Sequence, residues 1–232
     1  MTDMMEVAAI DGSGSFPVYR ALPAGTPKAA IIVIQEIFGV NAGIRKKADD
    51  WAALGYLALA PDMFWRFAPG FDVDPDVPEQ MAHAFEIRTK FNVDKGIQDV
   101  EAVIRAARAL MTGGKVGIVG FCMGGRVSYL AATRTDIDAS VGFYGAGIDA
   151  ALGESHAIAK PLLLHFADQD HFIGAEALSA IHAALDPNAH VTIEEYPGVD
   201  HGFADTFGKR RSGEAASLAE ARTRDFFAEH LA

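Results

Sequence analysis

The segment Lys115-Val116-Gly117-Ile118-Val119-Gly120-Phe121-Cys122-Met123-Gly124-Gly125 constrains this chain more than any other. A β-branched run enters Gly-x-Cys-x-Gly, and Arg126 to Ala132 continue as helix-compatible residues, so the segment predicts a strand, a sharp turn and a helix. A side chain carried at the tip of such a turn needs neighbours without a Cβ, because strand and helix pass too close for anything larger. The spacing assigns those close approaches to Gly120 and Gly124 and puts Cys122 at the tip, as in a nucleophile elbow with sulfur in place of oxygen. A lone cysteine is often only a small buried hydrophobe. The reading therefore needs a base and an acid in matching chain order.

The rest of the chain supplies a frame for such an elbow. Short apolar runs at Glu6 to Ile10 and Ser15 to Arg20 flank Asp11-Gly12-Ser13-Gly14 and predict an antiparallel hairpin, at a sheet edge because Pro17 cannot donate to a ladder. Continuous apolar runs at Ala29 to Ile34 and Tyr56 to Ala60 predict strands covered on both faces, and further strands are predicted at Ala139 to Tyr144, Pro161 to Ala167 and His190 to Tyr196. Between them lie predicted helices at Ile44 to Leu54, closed by Gly55, then Glu79 to Lys90, Asp94 to Met111, Ala175 to Leu185 and Glu214 to Leu231. Pro61, Pro69, Pro75 and Pro78 mark an irregular excursion beside the active face. Alternating strands and helices imply one α/β domain over 1–232, with a mostly parallel central sheet and helices on both faces.

At 232 residues the chain can bury a substantial core. Its formal net charge of -11 argues against nucleic acid or an anionic membrane as partner. One cysteine cannot close an internal disulfide, which suits a reducing compartment. No signal peptide is evident and no apolar run is long enough to span a bilayer, so a cytoplasmic protein is expected.

Reactive groups in such sheets gather in the loops at the carboxyl ends of the strands. After Pro161 to Ala167 comes Asp168-Gln169-Asp170-His171-Phe172, and after His190 to Tyr196 comes Pro197-Gly198-Val199-Asp200-His201-Gly202-Phe203. The order nucleophile, acid, histidine is that of the α/β-hydrolases. It makes His201 the base and Asp170 the group that orients it, with Asp168 two residues away as the geometric alternative. Asp200 reads as a solvated turn residue, and His165, His171 and His190 as structural. A metal set of His165, Asp168, Asp170 and His171 matches no closed zinc pattern, and neither metal nor cofactor is expected. Glu36, directly after a buried strand, is either solvated at the loop mouth or turned to the site.

Gln-Glu-Ile-Phe-Gly-Val-Asn at 35 to 41, Gly-Phe-Cys-Met-Gly-Gly at 120 to 125, Gln-Asp-His-Phe at 169 to 172 and His-Gly-Phe at 201 to 203 resemble the dienelactone hydrolase (carboxymethylenebutenolidase) family over nearly the whole length. The resemblance implies an α/β-hydrolase fold and a catalytic triad of Cys122, Asp170 and His201. It gives Glu36 a role in holding the resting thiol and generating the thiolate. The oxyanion hole would be the amides of Ile37 and Met123, as the fold's general rule also has it. Where the family holds a substrate carboxylate with two arginines, this chain has Met81 and Asp205. Arg88, on one helical face with Met81 and Phe85, is the expected source of the pocket's positive charge, and Phe38, Phe85, Tyr144 and Phe172 its apolar walls. The expected activity is hydrolysis of a small ester or lactone through an acyl-thioester, by a monomer or weak homodimer. A general carboxylesterase or thioesterase and a silent small-molecule binding protein are the rival readings. A thiol redox protein is disfavoured because no resolving cysteine is present.

Overall fold

The computed structural model describes residues 2–232. Strands β1 (Thr2–Ala8), β2 (Ser15–Ala21), β3 (Ala30–Ile34), β4 (Leu57–Pro61), β5 (Val116–Phe121), β6 (Ala139–Phe143), β7 (Leu162–Ala167) and β8 (Val191–Tyr196) form one sheet in the order β1-β2-β4-β3-β5-β6-β7-β8. The pairs β1/β2 and β2/β4 are antiparallel, while β3/β4, β6/β7 and β7/β8 are parallel. Right-handed crossovers that run in opposite directions across a sheet put helices on both of its faces. This is the mostly parallel α/β arrangement that the sequence predicts. The chain divides into two compact units, Met1–Gly117 and Ile118–Ala232.

In the first unit β3 and β4 are buried along their whole length, as continuous apolar runs require. Helix α1 (Ala42–Ala53) starts at Asn41, whose side chain accepts the Ile44 N–H at 3.1 Å, and it is followed by Gly55 at φ 94°. Helix α3 (Val93–Leu110) is capped the same way by Asn92 and buries Ile97, Val100, Val103, Ile104 and Ala107. Helix α2 (Pro78–Arg88) begins on a proline, whose missing N–H is harmless in the first turn.

The segment between β4 and α2 is irregular, as its prolines predict, but it is pinned. Gln35 Oε1 accepts the Met63 amide at 3.1 Å, and the Asp62 carboxylate accepts the amides of Phe64 and Gly70 at 2.9 and 2.8 Å. Arg66 and Trp65 both reach the buried Asp99 of α3. Gly39 bridges to Asp72 at φ 78°, and a Cβ there would lie 1.6 Å from the Phe71 carbonyl oxygen. Only glycine fits.

The hairpin differs from expectation in two ways. β1 starts at Thr2, leaving Ile10 in the turn, and β2 lies inside the sheet between β1 and β4. Pro17 survives there because it stands where the β2/β4 ladder ends. The Asp62 N–H donates to Pro17 O at 3.1 Å, one bond where an ordinary residue makes two.

The second unit carries the carboxyl half of β5, then α4 (Met123–Arg134), β6, a 3₁₀ segment Asp149–Ala157 absent from the sequence expectation, β7, α5 (Ala175–Leu185), β8 and α6 (Gly213–His230). One histidine is built into its core. His165 on β7 lies between the Tyr196 hydroxyl at 2.9 Å and the Thr223 hydroxyl of α6 at 3.0 Å, and burial pushes its pKa down to about 3. Thr223 gives its own proton to Ala219 O, so the neutral ring donates from Nε2 and accepts at Nδ1. That agrees with the structural role expected for it.

Candidate active site

Cys122 is the residue between β5 and α4, at φ 55° and ψ -116°. A side chain rarely adopts this backbone, and holding one there stores strain of about 1–3 kcal/mol. The surroundings enforce it. A Cβ on Gly120 would lie 1.9 Å from Gly124 O, and one on Gly125 would lie 2.4 Å from Phe143 O. Gly125, which the spacing did not single out, must therefore also stay bare. The Cys122 amide donates to Phe143 O at 3.0 Å, tying the tip to the end of β6. Cys122 is only partly buried, and it caps a helix whose first amides lack intrahelical partners. The amide of Met123, the first residue of α4, is one of these.

His201 and Asp170 come from the loops after β8 and β7. The Asp170 carboxylate accepts from His201 Nδ1 at 2.8 and 3.1 Å, and both side chains are essentially buried. The same carboxylate accepts the Phe172 amide at 2.9 Å, so its own orientation is fixed. His201 Nε2 is buried without a well-aligned hydrogen-bond partner, and the group it does interact with is the Cys122 side chain. Burial, the largest influence, favours the neutral ring. The hydrogen bond with Asp170 and then the hydrogen bonding and charge of Cys122 outweigh it, and His201 is pushed up to about 10. The imidazole therefore holds a proton firmly between a carboxylate and a sulfur.

Asp168, the alternative acid, turns away from the ring: its carboxylate accepts the Gly198 amide at 2.7 Å. Asp200 is more than a solvated turn residue. It accepts the amides of His201 and His171 and pairs with the His171 ring, which joins the two loops. Of the metal set weighed from the sequence, His165 lies in the core and Asp168 accepts from Gly198, while Asp170 and His171 stay together beside Asp200, their ligand atoms within 4.8 Å of one another.

Two aromatic rings adjoin the His201 ring. Tyr144 is buried with its ring centroid 4.9 Å away, and Phe172, half-exposed, meets His201 edge to face at 4.8 Å. Tyr144 sits at φ 39°, a second strained residue beside the first. Asp205 is buried; its carboxylate lies 3.5 Å from the Tyr144 hydroxyl and 2.5 Å from Arg210 Nη2. The Arg210 guanidinium in turn lies against Gly202, where a Cβ would be 3.1 Å from it.

The remaining residues singled out from the sequence belong to the first unit. Glu36, Ile37 and Phe38 follow β3 and are all buried. Met81 is partly exposed on α2, Phe85 is exposed, and Arg88 is exposed with its guanidinium 5.8 Å from the Phe85 ring centroid. Sequence reasoning passed over Arg210, because its place depends on how the loop after His201 folds back.

A family model for the dienelactone hydrolase family matches residues 16–231. A protein of Azospirillum brasilense that carries the name carboxymethylenebutenolidase provisionally is 40% identical over 232 residues, 100% of each chain. The carboxymethylenebutenolidase of Pseudomonas putida is 35% identical over 229 residues, covering 98% of this chain and 97% of its own. Among solved structures, a chain from Klebsiella pneumoniae, provisionally a dienelactone hydrolase, superposes with a TM-score of 0.84 at 27% identity over 99% of both chains. Among the described residues no helix is long and apolar enough to cross a membrane.

Proposed function

The chain belongs to the dienelactone hydrolase family, and from that premise we propose that it hydrolyses small carboxylic esters or lactones with Cys122 as nucleophile, His201 as base and Asp170 as the residue that orients the base. The observation that carries the reading is the line of three groups. Asp170 occupies Nδ1 of His201, which leaves Nε2 to the Cys122 side chain, and that side chain projects from a strained turn at a helix N-terminus.

In this reading the imidazole takes the thiol proton, and the helix N-terminus favours the thiolate that remains. The thiolate adds to the carbonyl carbon, and the Met123 amide donates to the oxyanion. Collapse breaks the bond to the alcohol oxygen, which leaves with the proton from His201 and gives an acyl-thioester. Water, deprotonated by the same imidazole, then releases the acid. The roles that the resemblance gives to Glu36 and to the Ile37 amide, and the walls it gives to Phe38, Phe85, Tyr144 and Phe172, remain part of the proposal. Tyr144 and Phe172, whose rings adjoin the base, would restrict the access of water to the imidazole. Hydrolysis of p-nitrophenyl acetate by the wild type and by Cys122→Ala tests the reading. Equal rates would end it.

A further inference from the structure

The paired strands β7 and β8 end at Ala167 and Tyr196, and both the acid and the base lie beyond that point. A ladder of backbone bonds sets the spacing of two strands only as far as the strands run. Here the spacing is carried further. The Asp168 amide donates to Tyr196 O and the Gln169 amide to Val199 O, each at 3.1 Å. Around the second of these bonds the two loops exchange side-chain caps. The Asp168 carboxylate accepts the Gly198 amide at 2.7 Å, and the Asp200 carboxylate accepts the His171 amide at 3.0 Å. Asp168 stands two residues before the acid Asp170, and Asp200 directly before the base His201.

Asp200 carries the larger share. The oxygen that takes the His171 amide also takes the His201 amide at 2.6 Å, and the His171 ring Nδ1 lies 2.8 and 2.9 Å from its two oxygens. One atom thus receives the amide of the base and the amide that follows the acid. Slight burial works to raise the Asp200 pKa, but the His171 ring and the two amides outweigh it and hold the group below the ordinary carboxylate range, an anion that only accepts. Both carboxylates are exposed, where a charge adds little to stability. What they fix is geometry, because Asp170 and His201 meet at 2.8 Å through buried side chains, and a contact of that kind weakens steeply when its partners shift.

We propose that Asp168 and Asp200 are positioning residues, which hold the loops of the acid and the base in register so that Asp170 meets His201 Nδ1 and Nε2 keeps its place beside Cys122. This rests on the hydrolase reading above and adds two residues to its machinery, acting through the backbone of the acid and the base and not on the ester.

Turnover of p-nitrophenyl acetate by variants shown to be folded by circular dichroism tests it. Asp200→Ala is expected to lower kcat by about tenfold or more and to change KM by less than about threefold. Asp200→Asn, whose side-chain oxygen still accepts both amides, should recover most of the loss. Asp168→Ala and Asp168→Asn should repeat the pattern with a smaller loss. Labelling of Cys122 by iodoacetamide supplies a reading that needs no ester. Its pH midpoint should rise by about half a unit or more in Asp200→Ala, since a loosened Asp170 favours the imidazolium, and with it the thiolate, less. In Asp200→Asn the midpoint should stay near that of the wild type. A lowered Tm in Asp200→Ala with kcat within about twofold of wild type overturns the proposal, because the clamp would then be structural only. Equal losses in Asp200→Asn and Asp200→Ala overturn it as well, since charge alone would explain them. If the wild type cleaves no ester, the hydrolase reading fails and labelling decides separately: an unchanged midpoint in Asp200→Ala overturns the proposal. Should Asp200→Ala not fold, Asp168→Ala is read by the same criteria.

Discussion

A cysteine at φ 55° is a residue whose side chain is kept at the expense of its backbone. Glycine adopts this conformation without strain, so Cys122→Gly is expected to be more stable than Cys122→Ala by about 1 kcal/mol, read from urea midpoints. Equal stability would mean that the turn carries no strain. In the proposed mechanism Asp170 acts only through its contact with His201 Nδ1, holding the tautomer that leaves Nε2 toward sulfur. Asp170→Asn should lower kcat by on the order of a thousandfold or more while the protein stays folded, because the amide can present its N–H to Nδ1 and invert the tautomer. A kcat within tenfold of wild type would remove Asp170 from the proposal. The sequence brought Cys122, Asp170 and His201 into view because each falls on the loop after a recognisable strand. It could not separate Asp168 from Asp170, which share a loop and differ only in which way the chain turns them.

The elbow shows what an element can and cannot disclose. Its strand, turn and helix were legible because β-branched residues, then glycines around one side chain, then helix formers follow within one segment. Which glycines are crowded depends on contacts across the chain: Gly120 meets Gly124 O, but Gly125 meets Phe143 O from the next strand. Gly120→Ala and Gly125→Ala should each cost about 3 kcal/mol or more, or prevent folding, since in both the obstacle is backbone and cannot rotate away. Gly153→Ala, with open space around it, should fall within about 0.5 kcal/mol of wild type. If all three behave alike in urea denaturation, the elbow is looser than described. The hairpin was legible as a hairpin, but sheet order is written in no local pattern. Hence Pro17 was assigned to an edge strand, when the end of a ladder is what makes it tolerable.

Across the molecule, two histidines set opposite limits on stability. His165 is buried and neutral, pushed down to about 3 from 6.5, so the unfolded chain takes up a proton that the native chain refuses. Its contribution is complete above pH 6.5 and is lost as the pH falls toward 3. His201 is pushed up to about 10, so its contribution is complete below pH 6.5 and is lost as the pH rises toward 10. Urea midpoints should therefore peak between these limbs and fall on both sides, with His201→Gln flattening the alkaline limb. A midpoint constant from pH 4 to pH 9 would contradict both assignments. Whether the sulfur is the atom that attacks can be seen in the protein itself. Acid quench of the enzyme during turnover of p-nitrophenyl acetate, followed by mass spectrometry of its peptides, should find one acetyl group on the peptide containing Cys122, removable by neutral hydroxylamine as a thioester is. An acetyl group on any other residue, or turnover by Cys122→Ala at the wild-type rate, would contradict it.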